Sequence, residues 1–275
     1  MVSFKCNYEK RFEKDFSDIE DLKKELRSLS ATSVIMHYRE RFRFIADFIY
    51  NSNKIDGNSL TLKETKDTLL YGEFEDKLSK DQIEAIGHRD AYNYIEGLAY
   101  GIPEKGIKPN NDILIDESII RKIHSFVLMD KPENAGVYRK QMIEMKNSKY
   151  TPTEPLFIDE EINKIIDEYN NSDNTLHILE KIVWFHLKFE CIHPFIDGNG
   201  RTGRLIMNLM LMQNSYPPII IKYKDVMKYF DSFKDFSSKN EGFKLMDIVI
   251  KGIKESLKKL IVPRVKVKER LSRKK

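Results

Sequence analysis

The chain has 275 residues, of which 33% are charged, with 47 Lys and Arg against 43 Asp and Glu. This length suits one large domain or two small ones, and the even spread of apolar residues excludes a largely disordered chain. Residues 264–275 contain seven Lys and Arg and one Glu, which is a local charge of +6 and leaves −2 for the remainder. We therefore expect a basic, solvated tail, and the near-neutral body argues against nucleic acid as a partner.

The two cysteines, Cys6 and Cys191, have neither a disulfide framework nor metal-ligand spacing. The N-terminus turns charged within a few residues, unlike a signal peptide, and no apolar run is long enough to cross a bilayer. These features predict a reducing, cytoplasmic compartment and no membrane partner.

Hydrophobic spacing and scarce Gly and Pro favour helices over a strand-and-turn architecture. Gly57 can end one helix, and Thr61 with Glu64 forms a capping box for the next. Two predicted helices, 176–190 and 205–212, are apolar around most of their circumference, so we expect them at the centre of the core. In chain order, the helices are predicted at residues 19–27, 33–55, 61 onward, 79–100, 117–129, 159–169, 176–190, 205–212, 224–236 and 241–260.

Residues 136–151 interrupt this helical pattern. Polar and apolar side chains roughly alternate along them, and Asn147 with Ser148 can form a turn. The segment is therefore predicted to be a β-hairpin.

The stretch HPFIDGNGRTGR, residues 193–204, lies between the two apolar helices. Pro194 must end the preceding helix, which leaves His193 at a helix end facing a loop. The turn from Gly198 to Gly200 has few side-chain atoms, so its N–H groups can converge on an anion together with the start of the next helix. The pattern predicts an anion-binding loop.

Charged residues in this loop extend the prediction. Arg201 and Arg204 share one helix face, and two guanidinium groups beside a backbone nest suit a polyphosphate. Asp197 is a hard carboxylate that can hold Mg²⁺ beside substrate phosphates. His193 has a pKa suited to deprotonating a hydroxyl near neutral pH.

These twelve residues resemble the active-site motif of the Fic family at every defining position, and the resemblance extends from about Phe44 to Leu260. It implies an all-α fold, namely a Fic-type helical bundle with a short β-hairpin flap beside the active site. It also implies protein adenylyltransferase activity, in which AMP passes from ATP to a Ser, Thr or Tyr hydroxyl of a target protein. The implied domains are a helical extension (1–43), a Fic domain (44–263) and a basic tail (264–275).

The resemblance assigns a role to each motif position. His193 is implied to be the base that activates the target hydroxyl, and Asp197 the ligand of a Mg²⁺ that bridges the α- and β-phosphates. The phosphate ligands are implied to be Gly198, Asn199 and Gly200 for the α-phosphate, with Arg201 and Arg204 for the β- and γ-phosphates.

Aromatic residues and a hairpin complete the implied site. Phe195 is expected to be buried and to anchor the loop, and Tyr229 and Phe230 fall where relatives place aromatics near the adenine. Helical core packing is the competing interpretation for those two. In the flap, Ile143 and Met145 fall where a target-docking hydrophobe is expected.

Residues 52–58, SNKIDGN, resemble the inhibitory motif that some Fic proteins carry before the core. The resemblance implies an inhibitory helix at about 44–58, with Ser52, Asp56 and Gly57 as its motif residues. Asp56 stands where the family has Glu, which forms a salt bridge with the second motif arginine, here Arg204. Because Asp is one methylene shorter, we expect a weaker brake.

Three alternatives remain open. One is a Fic-fold transferase with another donor, namely UMP, phosphocholine or phosphate. A second is a metal-dependent phosphoesterase, against which the thin metal site argues. A third is a non-catalytic nucleotide-binding module. Whether the chain forms a homo-oligomer, and which target it uses, is not decided by the sequence.

Overall fold

The computed structural model describes residues 8–29, 34–72, 77–100, 113–143, 151–171 and 176–272. Throughout these ranges the regular structure is helical and no strand occurs. The predicted all-α class is therefore confirmed. The helices are α1 (Tyr8–Ser28), α2 (Val34–Ile55), α3 (Leu62–Tyr71), α4 (Lys80–Tyr100), α5 (Glu117–Val127), α6 (Ile158–Asn170), α7 (Ile178–Ile192), α8 (Asn199–Gln213), α9 (Val226–Lys239) and α10 (Phe243–Ser272).

The predicted helices appear in the predicted order, and local signals set several of their ends. Thr61 caps α3 by accepting the Glu64 N–H, and the Glu64 side chain accepts the Thr61 N–H, so the capping box is confirmed. Asp116 caps α5 by accepting the N–H of Ile119. Gly57 has φ 96° directly after α2, the left-handed conformation that a helix-ending glycine adopts.

The central helices α7 and α8 pack against each other and place the predicted loop at their junction. Nearly all of α8 is buried, and so is most of α7. Helices α4 and α5 cover α8 on one side, while α6, α9 and α10 contact α7. The loop at residues 193–198 is therefore held between the two most buried elements of the fold.

The first helix is longer than predicted, because its apolar face packs on α10. Tyr8, Phe12 and Ile19 are buried in the main core, and the Gly242 N–H donates to the Tyr8 hydroxyl. Lys254 of α10 bridges Asp15 and Asp18 of α1, at 2.8 and 2.7 Å. These contacts join the N-terminal helix to the same core as the rest of the fold.

Both domain boundaries expected from the sequence fall inside continuous helices. The first, after residue 43, lies within α2, and the second, after residue 263, lies within α10. Helix α10 passes through Pro263 and continues to Ser272, so most of the predicted basic tail is helical.

The predicted hairpin, residues 136–151, has no strand in its described part, which is residues 136–143 and residue 151. Gly136 has φ 72°, and the Arg139 N–H donates to the carbonyl of Pro194, 2.9 Å away, instead of to a second strand of a hairpin. Ile143 is half-buried at the end of this part, whereas Met145 lies outside the described residues. The β-hairpin and its docking role stay predictions.

Within the described residues, no helix combines the length and apolar character that crossing a bilayer requires.

Candidate active site

His193 closes α7 in a left-handed conformation, with φ 51° and ψ 61°. Its N–H donates to the carbonyl of Phe189 at 3.0 Å, and Pro194 prevents the helix from continuing. The ring Nδ1 lies 3.3 Å from the carbonyl of Glu190. A carbonyl can only accept, so this contact assigns the ring proton to Nδ1 and leaves the Nε2 lone pair free.

Burial lowers the pKa of His193 to about 4, with a smaller contribution from the Arg139 cation. The Glu190 carbonyl and the carboxylates of Asp56 and Asp197 act in the opposite direction but are outweighed. The imidazole is therefore neutral at pH 7, which is the form that can accept a proton.

Phe195 and Asn199 stabilise the loop at residues 193–198 through burial and hydrogen bonds within it. Phe195 is fully buried, as expected from the sequence. The Asn199 side chain accepts the Phe195 N–H at 2.9 Å and donates to the Phe195 carbonyl at 2.8 Å. The sequence predicted that Asn199 binds the α-phosphate, but its side chain is bonded to Phe195 of the same loop. Only the backbone N–H of Asn199 is therefore available to an anion.

His124 of α5 supports the same loop and has no signal in the sequence. Its ring stacks on Phe195, with centroids 3.6 Å apart and an angle of 3° between the planes. The Gly136 N–H donates to His124 Nδ1 at 2.8 Å, so Nε2 carries the proton and donates to the carbonyl of Asp197, 3.0 Å away. Burial lowers the pKa of His124 to about 4, which keeps this neutral bonding pattern.

An anion nest lies at the start of α8. Gly198 has φ 73°, and a Cβ there would come within 3.1 Å of Val127, so this turn requires glycine. The Gly198 N–H donates to the Asp197 side chain at 2.7 Å. The first-turn N–H groups of α8, from Asn199 onward, have no partner within the helix and form its positive end.

Asp197 fits the requirement for a magnesium ligand. Its side chain is 41% exposed, and its carboxylate already holds one cation, the Lys131 ammonium, at 2.7 Å. Although burial opposes ionisation, Lys131 and Arg201 hold the pKa of Asp197 below its ordinary value. No group of three metal-ligating side chains occurs among the described residues, as is usual where Mg²⁺ depends on one carboxylate and the substrate's phosphates.

Arg204 is fully buried and is held by the end of α2. Its Nε donates to the Ser52 hydroxyl and its Nη2 to the Ser52 carbonyl, both at 2.8 Å. Nη2 also donates to Asp56 Oδ2 at 2.8 Å. Burial alone would lower the pKa of Arg204, but Asp56, Tyr229 and Glu190 raise it above the ordinary value. Ser52 and Asp56 thus both contact Arg204, and Gly57 forms the turn beside Asp56.

Gly200 makes room for this pairing. A Cβ at Gly200 would lie 2.8 Å from Arg204 Nη1 and 3.1 Å from Asp56 Oδ1. A larger residue there would displace either the arginine or the carboxylate, so Gly200 permits the contact as well as the loop.

Arg201 is buried among three carboxylates, which lie within ion-pair distance but form no hydrogen bond with it. Its guanidinium nitrogens lie 3.6 Å from Asp56, from Glu84 and from Asp197. Nε and Nη1 have no hydrogen-bond partner. Glu84, on α4, was not identified from the sequence. Its Oε2, which faces Arg201, also accepts from the Asn58 amide at 3.0 Å, and its Oε1 lies 3.5 Å from the Lys80 ammonium. Arg201 is therefore charge-balanced but keeps free donors for a ligand.

The two aromatics of α9 occupy different positions. Tyr229 is buried, with its hydroxyl 2.8 Å from His186 Nε2 and 3.5 Å from Arg204 Nη1. Phe230 is 47% exposed beside it. Tyr229 thus supports Arg204 inside the core, His186 is a packed helix histidine, and an adenine contact stays a prediction for both aromatics.

The fold and site define an all-α protein in which a neutral histidine and two buried arginines lie around the glycine-rich start of a buried helix. Residues 114–211 match the model of the Fic/DOC family. A protein adenylyltransferase Fic of Nematostella vectensis is 34% identical over 185 residues, covering 66% of this chain and 41% of that protein. The protein adenylyltransferase fic-1 of Caenorhabditis elegans is 29% identical over 218 residues, covering 78% and 40%.

Solved structures agree. A Fic domain-containing signalling protein from Bacteroides thetaiotaomicron superposes with a TM-score of 0.77 at 25% identity, over 90% of this chain and 97% of that one. Fic-1 from C. elegans gives a TM-score of 0.74 at 25% identity, over 90% and 71%. The chain belongs to the Fic/DOC family. It spans about 40% of the length of the curated relatives that it matches.

Proposed function

We propose that this protein is a protein adenylyltransferase that transfers AMP from ATP to a side-chain hydroxyl of a target protein. The observation that carries the proposal is the junction of α7 and α8, where a neutral His193 with a free Nε2 borders an anion-binding helix start. Relatives named protein adenylyltransferases support it.

In the proposed reaction, His193 Nε2 accepts the proton of the target's Ser, Thr or Tyr hydroxyl. The hydroxyl oxygen attacks the α-phosphorus of ATP in line, the bond to the β-phosphate oxygen breaks, and pyrophosphate leaves. The backbone N–H groups of Asn199 and Gly200 stabilise the charge that develops on the α-phosphate oxygens, while Gly198, whose N–H bonds Asp197, forms the turn that presents them. The chain contributes position and charge, with no covalent intermediate on the protein.

Arg201 and Arg204 are proposed to bind the β- and γ-phosphates. Arg201 supports this role because two of its nitrogens have no hydrogen-bond partner. Asp197 would hold Mg²⁺, which would supply positive charge to the substrate's phosphates when bound. Its exposed carboxylate at the edge of the nest fits that ion.

We further propose that the end of α2 acts as a brake. Ser52 and Asp56 take three hydrogen bonds from Arg204, so this guanidinium must be released before it can bind a phosphate. Asp56 forms a single hydrogen bond with Arg204, whereas a bidentate carboxylate would form two. The single bond therefore supports a weaker brake.

The experiment supplies ATP labelled at the α- or the γ-phosphate, with Mg²⁺ and a cell lysate. We expect α-label but no γ-label on protein, and His193→Ala should abolish transfer while nucleotide binding remains. Transfer of γ-label would replace the proposal with kinase-like chemistry. Transfer from UTP or CDP-choline in place of ATP would indicate another donor. No transfer by the Asp56→Gly variant would favour a non-catalytic module.

A further inference from the structure

Arg139 is a buried arginine beneath the catalytic loop, 5% exposed. Its Nε donates to the carbonyl of His193 at 2.9 Å, and its Nη2 lies 3.4 Å from the carbonyl of Ile192. Nη1 donates to the carbonyl of Gln141 at 3.0 Å, and Nη2 also donates to that of Thr153. The guanidinium thus donates four hydrogen bonds, all to backbone carbonyls, from three separate segments of the chain.

These partners give the arginine an unusual position. Within the described ranges it forms no ion pair with a carboxylate, so its charge is balanced by peptide dipoles alone. Two of those dipoles, from Ile192 and His193, belong to the C-terminal end of α7, where a cation is stabilising. The Arg139 N–H also donates to the carbonyl of Pro194 at 2.9 Å. The side chain and the backbone of one residue therefore hold three consecutive peptide groups around His193.

We infer that Arg139 is a positioning residue that fixes the backbone of His193 to the segment predicted to dock the target. The inference rests on the proposed function, because it assigns His193 the role of base. Residues 139–143 lie in the first half of the predicted flap, residues 136–151, and Thr153 lies just beyond its end. One side chain thus ties both ends of that segment to the residue that receives the target's proton.

The left-handed conformation of His193 is the reason why such a support matters. A non-glycine residue with φ 51° is strained, and it persists where neighbouring bonds hold it. Without the Arg139 guanidinium, the carbonyls of Ile192 and His193 lose these donors, only the backbone bond to Pro194 remains, and the imidazole loses its alignment. Misplacement of a catalytic group by about 1 Å can lower a rate roughly 100-fold.

Arg139 also contributes charge at the imidazole. The charged groups that act on His193 are Arg139, Asp56 and Asp197, and the arginine opposes protonation of the ring. A purely structural arginine, by contrast, would change the stability of the protein without a separate effect on His193. The two roles therefore differ in a measurable way.

The test compares Arg139→Met, Arg139→Lys and the control Arg121→Lys, all in the Asp56→Gly background. Arg121 is a suitable control because it bonds the Gly136 carbonyl in the same region and makes none of the contacts to residues 192–194. Three quantities are measured: the α-label transfer rate at saturating ATP, the dissociation constant of ATP, and the titration of the His193 imidazole by NMR.

For Arg139→Met we expect transfer to fall about 100-fold, with ATP affinity changed less than about twofold. The NMR titration of His193 should move to higher pH, because a cation is removed. Arg139→Lys should keep the titration near that of the parent, since the charge remains, but should transfer slowly because one ammonium cannot bond four carbonyls. Arg121→Lys should match the parent in all three.

Unchanged transfer in Arg139→Met would overturn the inference. So would loss of ATP affinity and of folding in both Arg139 variants to the same degree as transfer, since that describes a structural residue. If the parent transfers no α-label at all, the proposed function fails. The NMR titration then still decides whether Arg139 acts on His193, because it needs no activity.

Discussion

Asp56 and Arg204 are joined by one hydrogen bond, 2.8 Å from Nη2 to Oδ2, across 148 positions of sequence. Asp56 keeps a 28% exposed side chain, and its carboxylate also lies 3.6 Å from Arg201. Arg204 donates two further hydrogen bonds to Ser52, whose hydroxyl and carbonyl face it from the preceding turn of α2, and its Nη1 lies 3.5 Å from the Tyr229 hydroxyl. One short carboxylate thus faces both motif arginines but bonds only one of them.

Replacing Asp56 by alanine should raise the rate of automodification with ATP. Hydrogen bonds to charged groups contribute about 1.5–3 kcal/mol, which corresponds to roughly 10- to 100-fold in the population of released Arg204. Incorporation of α-label over time measures the rate. Asp67→Ala, at an exposed aspartate of α3, is the matched control. Equal rates for Asp56→Ala and the wild-type protein would contradict the proposed brake.

Glu84→Gln should tighten ATP binding. The substitution removes a negative charge 3.6 Å from Arg201, while the new amide oxygen can still accept from Asn58 and keep the turn after α2 in place. Because the pair is not hydrogen-bonded, we expect a modest effect, about fivefold in the dissociation constant, measured by calorimetry. A weaker affinity would instead mean that Glu84 aligns Arg201 for the phosphates.

Lys131→Met should lower the Mg²⁺ concentration needed for half-maximal nucleotide binding. The ammonium occupies Asp197 at 2.7 Å in the structure, and both side chains are partly exposed, so the pair is a weak competitor for the metal. We expect this Mg²⁺ concentration to decrease about threefold. The measurement is the fluorescence of a labelled ATP analogue during a Mg²⁺ titration. Lys122→Met, at an exposed lysine of α5, controls for surface charge. An increase in the required Mg²⁺ concentration would instead indicate that Lys131 binds the phosphates of the nucleotide.

The sequence could predict those features that depend on residues close together along the chain. The motif from His193 to Arg204 is contiguous, Gly57 ends its own helix, and Thr61 with Glu64 caps α3, so each of these features depends on residues a few positions apart. The Asp56–Arg204 contact was available through the family resemblance. It could not be derived from spacing, because nothing local brings together two residues 148 positions apart.

The supporting residues of the site were missed for the same physical reason. His124 reaches Asp197 across 73 positions, and Lys131 reaches it across 66. Neither has a neighbour in sequence that indicates a role, because α5 must first pack on α8 before these side chains approach the loop. Glu84 is similar, since only the packing of α4 on α8 brings it to Arg201.

The transfer reaction should stay active at mildly acidic pH. With the pKa of His193 lowered to about 4, the imidazole remains neutral as the pH falls through the ordinary value of 6.5, and activity is lost only as the pH approaches 4. A solvated histidine would lose about 90% of its neutral form at pH 5.5. We therefore expect kcat/KM at pH 5.5 to lie close to its value at pH 7, once corrected for nucleotide binding at each pH. A tenfold fall, with binding unchanged, would mean that the ring is solvated when it acts, and that burial by the loop does not keep His193 ready as a base.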